Sequence, residues 1–238
     1  MKSQTTFPDT TTILESFTDE IRELNGTVSY NYITREAMFL RANLPDCREV
    51  AKNDRIQHGI AVRTTNTSII VHPYTFREIC TNGAIHIENI SSKEVELGSS
   101  DVETAGVDYF FREAVRSCAT AEAFEANLAE MTAAMDEKIH LAIVMSAMAG
   151  HGVNSRVIDR IIARFIGTKD RSGYGLFNAI TSTARDEKNP EEKWRLESVG
   201  GGILAWLKKP DQEIASGYTA QIPVEKPAEK EHRFAVAE

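Results

Sequence analysis

Gly59-Ile60-Ala61-Val62-Arg63, Thr64-Thr65-Asn66-Thr67, Ser68-Ile69-Ile70-Val71-His72: residues 59–72 set two β-branched runs around a polar tip. Branched side chains suit a pleated strand and crowd a helix, so the runs read as strands and the tip as a hairpin turn. A tight hairpin makes its two strands antiparallel. Upstream, Ala37, Phe39 and Arg41 alternate with Met38, Leu40 and Ala42, which predicts a strand buried on both faces and ended by Leu44-Pro45-Asp46. Downstream, Pro73 is expected to break the ladder, with a short strand at Ala84 to Ile87 and a polar, acidic loop from Ser91 to Glu103. Before the strands, Ile13, Phe17, Ile21 and Leu24 share one helical face, with Thr12 and Glu15 at capping-box spacing and Asn25-Gly26 as the stop.

Beyond residue 104 the apolar period changes from two to that of a helix. Val107, Phe110, Phe111 and Ala114 fit one face; after Thr120, a natural cap, so do Phe124, Leu128, Met131 and Met135. Lys138 to Ala149 is nearly all apolar and reads as the central core helix. Asn154 or Ser155 starts another helix reaching Phe165, and Tyr174 to Arg185 forms a further one. Gly200-Gly201-Gly202 reads as a flexible connector, since it lacks the Lys-Ser/Thr that follows a phosphate-cradling loop. The fold class is α+β: an N-terminal helix and antiparallel sheet followed by a mainly helical half. One domain is expected over residues 1–209, with the sheet at about 27–90 and the helices at about 104–209. Residues 210–238 thin out in apolar side chains and carry Pro223, Pro227 and a Glu-Lys alternation, the composition of a disordered tail.

Composition removes several function classes. No apolar run reaches the roughly 18 residues of a bilayer span, so no membrane partner is expected. Met1 to Thr12 has no apolar core of a secretory signal, and Cys47, Cys80 and Cys118 match neither a disulfide framework nor a zinc site. These features predict the reducing cytoplasm of a bacterium or an infected host cell. Nucleophile elbow, paired-histidine zinc helix and dinucleotide fingerprint are absent, so no cofactor or metal is expected. His58, His72 and His86 follow no ligand spacing. Cys80 reads as a buried packing residue at a tight corner, where Asn82 and Gly83 form the turn and Gly83 takes positive φ.

That corner carries a resemblance. Phe76-Arg77-Glu78-Ile79-Cys80-Thr81-Asn82-Gly83 resembles the aromatic-Arg-x-x-Cys-x-Asn-Gly signature of the phage/plasmid-like family designated domain of unknown function 932. His86 and Asn89 are similar to a His-x-x-Asn downstream of that signature. Tyr174-Gly175-Leu176-Phe177-Asn178-Ala179-Ile180-Thr181 resembles the family's aromatic-x-Leu-x-Asn-Ala-x-Thr helix. Where many members carry Asn/Ser-His-Asp-Gly in the preceding hairpin, this chain has Thr65-Asn66-Thr67-Ser68, so no role for that His-Asp pair carries over. The resemblance implies the setting of a mobile element and no particular reaction.

The chain has a formal charge of −8, unevenly spread. Residues 81–150 carry 4 basic and 12 acidic side chains, whereas residues 151–209 carry 11 and 7. Within the basic segment Arg156, Arg160 and Arg164 recur every fourth residue, opposite Val157, Ile158, Ile161, Ile162 and Phe165. Lys169 and Arg171 follow, and Tyr174 offers a stacking ring. Guanidinium groups with an aromatic suit phosphate contact and base stacking. The leading reading is therefore a non-catalytic accessory protein of a mobile element that associates with single- or double-stranded nucleic acid. In outline its strands and helices are similar to the core of phage single-strand annealing proteins. Alternatives are an enzyme with a polar site at Cys80, Asn82 and His86, or a module that engages a host protein. In the bland alternative, the arginines are a solvated helix face or pair with the acidic helices over residues 103–137.

Overall fold

A computed structural model describes residues 10–34, 37–97, 99 and 106–207, and the expected tail lies outside them. Helix α1 (Thr10–Glu23) leads into β1 (Thr27–Ile33), β2 (Met38–Ala51), β3 (Asp54–Thr64), β4 (Ser68–Arg77), β5 (Asn82–Ile85) and β6 (Lys93–Glu96). Among the described residues six further helices follow: α2 (Val107–Cys118), α3 (Ala121–Ala133), α4 (Leu141–Gly150), α5 (Ser155–Gly167), α6 (Gly173–Arg185) and α7 (Pro190–Trp206). All strand pairs are antiparallel, in the order β1-β2-β3-β4-β5, with β6 also on β4. The architecture is α+β with strands first and helices after.

The sheet is longer than its sequence punctuation suggests. Leu44-Pro45-Asp46 does not end β2 but forms a bulge between Asn43 and Cys47, where Gln57 donates from Nε2 to the Leu44 carbonyl at 2.8 Å. Pro73 does not break β4 either. β3 lines one side of β4; on the other side β6 pairs up to Val71 and β5 begins at Tyr74. Pro73 faces that gap, so its missing N–H leaves no ladder bond unmade, while its carbonyl accepts from the His86 N–H at 3.0 Å. β6 itself lies inside the expected loop Ser91–Glu103 and is a short edge strand of Lys93-Glu94-Val95-Glu96 whose single inward residue is Val95.

Strand alternation assigns the two faces. Met38, Leu40, Ala42, Ile60, Val62, Ile69 and Val71 pack under α1 and α2, with Phe17 and Phe111 at the centre. Phe39, Arg41, Ala61, Tyr74 and Ile85 form the opposite face beneath Trp194 of α7. α1 already includes Thr10, so Thr12 is an interior residue rather than its cap; the Asn25 stop is as expected, at φ 56.

The central helices are not the expected ones. α4 leaves Ala142, Met145, Ser146 and Ala149 exposed, whereas α6 and α7 are buried along most of their length. Gly200-Gly201-Gly202 is no connector but the middle of α7. A Cβ on Gly201 would stand 2.0 Å from the Ile85 carbonyl oxygen, and one on Gly200 2.7 Å from Thr181. The glycines let α7 lie directly on β5 and α6, and this close approach outweighs their poor helix propensity.

Candidate nucleic-acid interface

α5 is built as its pattern predicts. The Asn154 side chain caps it by accepting from the Arg156 N–H at 2.9 Å, and Ile158, Ile161 and Phe165 are buried. Arg156 and Arg160 point outward and exposed, while Arg164 is half-buried. Lys169 is also exposed. Two members of the expected patch are engaged elsewhere. Arg171 donates to the carbonyls of Phe165, Ile166 and Thr168, so it satisfies the α5 C-terminus instead of facing a ligand. Tyr174 is not a surface stacking ring: it is buried, and its hydroxyl donates to Asp54 Oδ2 at 2.8 Å. Burial at the first turn of α6, then that bond, raises its phenol above the ordinary range.

Arg160 and Arg164 meet the α6–α7 turn, not the acidic helices. Arg164 donates to Asp186 Oδ2 at 2.5 Å, Arg185 to Asp186 Oδ1 at 3.1 Å and Arg160 to Glu187 Oε2 at 3.3 Å. The other Glu187 oxygen accepts from the N–H groups of Lys188 and Asn189. Hydrogen bonding from Arg164 first, then Arg185, holds Asp186 below its usual carboxylate range; for Glu187 the Asn189 N–H is the leading cause. The turn also carries Arg185 and Lys188, both exposed, and Arg185 shares Asp186 with Arg164 of α5. The sequence pattern did not reveal these two, because they come from another helix end. Residues 154–188 carry Arg156, Arg160, Arg164, Lys169, Arg171, Arg185 and Lys188 against the acids Asp159, Asp170, Asp186 and Glu187, a surplus of three positive charges in an acidic chain.

Several residues of the motif lie between the sheet and α6, while His86 bonds within the sheet and Asn89 reaches α3. Arg77 grips Asp54 with two bonds of 2.6 and 2.7 Å, and its Nη1 reaches Cys80 Sγ at 3.3 Å. Asn178 is half-buried on α6, one turn beyond Tyr174. Cys80 is half-buried rather than buried, and its carbonyl accepts from Arg185 at 2.7 Å. Asn82 donates to Thr181 at 2.7 Å, the His86 Nε2 meets Thr75 Oγ1 at 2.8 Å, and Asn89 donates to Ala123 and Asn127. The corner differs from expectation in one respect. The turn is Glu78–Thr81 with Thr81 at φ 50, and Asn82 and Gly83 belong to β5. Gly83 does not take positive φ; it is needed because the Tyr74 hydroxyl would lie 1.9 Å from a Cβ there.

Among the described residues no hydrogen bond joins any two of Cys80, Asn82 and His86. Burial keeps His58 and His72 neutral, with pKa lowered to about 4, and His86 lowered to about 3. Among the described residues no three His, Cys, Asp or Glu side chains come together as metal ligands. A second buried polar group went unread. Arg41 meets Glu197 of α7, both 2% exposed, with Tyr30, Trp194 and Tyr74 around the guanidinium at 4.5, 5.9 and 6.0 Å. Burial raises the Glu197 carboxyl and Arg41 opposes it.

The fold and this surface define an α+β protein with a sheet covered on both faces and a cationic ridge along one helix. No family model, curated protein or solved structure matches the chain. Among the described residues no helix is long and apolar enough to cross a membrane.

Proposed function

We propose that the protein associates with nucleic acid through the phosphate backbone, as a non-catalytic accessory of a mobile element. One observation carries this reading: Arg160 and Arg164, at successive turns of α5, meet Arg185 through the shared carboxylates of the α6–α7 turn, with Arg156 exposed one turn earlier on the same helix. Their ion pairs are exposed, and exposed pairs are worth little, so a polyphosphate strand can replace the carboxylates. Contacts to phosphate fix position without reading sequence, so binding is tolerant of sequence. With Tyr174 buried, recognition rests on charge rather than on stacking.

The enzyme reading loses its converging site, because Cys80, Asn82 and His86 serve three separate contacts. The host-protein reading calls for apolar surface over residues 107–135, and Tyr109 is the single large hydrophobic exposed there among the described residues. Photo-crosslinking to a mixed-sequence single-stranded DNA at low salt tests the proposal. Crosslinked peptides are expected within residues 154–188. Crosslinks confined to the α1–α2 side of the sheet would overturn it.

A further inference from the structure

The two acids on the ridge are held in place. Asp186 ends α6, with its N–H bonded to the Thr183 carbonyl, and receives Arg164 and Arg185 on different oxygens. Glu187 anchors the turn with one oxygen and presents the other to Arg160. Asn189 then caps α7 by accepting from the N–H groups of Glu191 and Glu192. Two carboxylates therefore sit on an ordered turn at hydrogen-bond distance from the cations that phosphates would use.

We propose that Asp186 and Glu187 are a built-in competitor for the phosphate backbone: the α6–α7 turn occupies Arg160, Arg164 and Arg185 until a polyanion touching several cations at once displaces it. The inference rests on the nucleic-acid reading above. A single small anion cannot displace both carboxylates, because the turn presents them together and pays no association entropy. A strand that also engages Arg156, Lys169 and Lys188 can do so, since those contacts add to the exchange. The competitor thus selects polyphosphate strands over isolated phosphates.

The test uses the full chain and a labelled mixed-sequence single-stranded DNA over a salt series. Asp186→Asn with Glu187→Gln keeps the amide oxygens that the backbone donors need and removes both charges. Glu94→Gln with Glu96→Gln changes net charge equally on β6, which packs on β4 and α2. The competitor predicts that the turn variant binds about tenfold tighter, the worth of three exposed ion pairs at about 0.5 kcal/mol each. Its log–log salt slope steepens by about 2, as three freed cations meet phosphate. The β6 variant changes affinity less than twofold. Adding Arg156→Gln, Arg160→Gln and Arg164→Gln to the turn variant abolishes the gain.

Equal tightening in both acid variants would overturn the competitor in favour of a general field effect, with the nucleic-acid reading intact. Unchanged affinity in the turn variant, with the parent binding, would do the same. If parent and turn variant both fail to bind at low salt, both proposals fall. Should the double variant melt early, Glu187→Gln alone carries the test with about a third of the effect on the free energy, roughly a twofold gain in affinity.

Discussion

At Gly83 a methyl group would meet a buried aromatic ring with nowhere to go. Tyr74 is 4% exposed and covers Gly83 from the neighbouring strand, so overpacking, not backbone strain, sets the penalty. Gly83→Ala is expected to destabilise by about 1–3 kcal/mol in urea unfolding. An unchanged midpoint would mean that Tyr74 moves freely. Glu197 gives a second test. Removing its charge leaves the Arg41 guanidinium buried with no counter-charge, so Glu197→Gln is expected to cost about 3–5 kcal/mol. Replacing the pair by Arg41→Met with Glu197→Leu should come close to the parent, since both charges leave together. If the single and double variants are equally unstable, the pair is not what Arg41 relies on. The sequence showed that Gly83 matters but assigned the wrong reason, because a local turn signal was legible and the Tyr74 ring across the strand was not. Arg41 stood out in an apolar run, yet nothing within its own strand named Glu197, 156 residues away, as its partner.

Among the elements, those built on one clear period were legible. The 59–72 hairpin, α1 and α5 follow from apolar spacing and local caps. The misread elements are those whose neighbours outweigh local propensity. Pro45 and Pro73 are accommodated by a bulge and by the gap between β5 and β6, features of pairing that no strand reveals by itself. α4 is apolar enough for a core but keeps one face exposed, while α7, with three glycines, sits in the core because small residues are what β5 admits. Gly201→Ala places a Cβ against backbone rather than a side chain that can yield. It is expected to cost about 3 kcal/mol, toward the upper end for overpacking, in thermal and urea unfolding. A cost below that of Gly83→Ala would contradict the direct seating of α7 on β5. The ridge was legible in the same partial way: α5 displayed its arginines, and the α6–α7 turn that meets them came only with the tertiary fold.

At the scale of the whole molecule, the buried His58 and His86 and the half-buried His72 make the fold sensitive to acid. His58, His72 and His86 have folded pKa values of about 4, 4 and 3, against about 6.5 when unfolded. A lowered histidine pKa means that the unfolded chain binds more protons, so stability is full above about pH 6.5 and falls as pH drops toward 4. Near pH 5 the dependence should approach three protons, about 4 kcal/mol per pH unit, in urea unfolding followed at several pH values. A stability that stays flat between pH 7 and 5 would place these imidazoles in water. The charge distribution raises a second question at this scale, because an acidic protein binds polyanions only where its cations are concentrated. The most direct measurement is retention of single-stranded DNA, double-stranded DNA and RNA across a salt series, for the parent and for the Arg156→Gln, Arg160→Gln, Arg164→Gln triple variant. The ridge predicts a log–log slope of about −2 to −4 for the parent on single strands. It predicts a flattened slope and weak binding for the triple variant, with folding intact because exposed charges contribute little to stability. A triple variant that binds as tightly as the parent, with the same slope, would contradict the ridge.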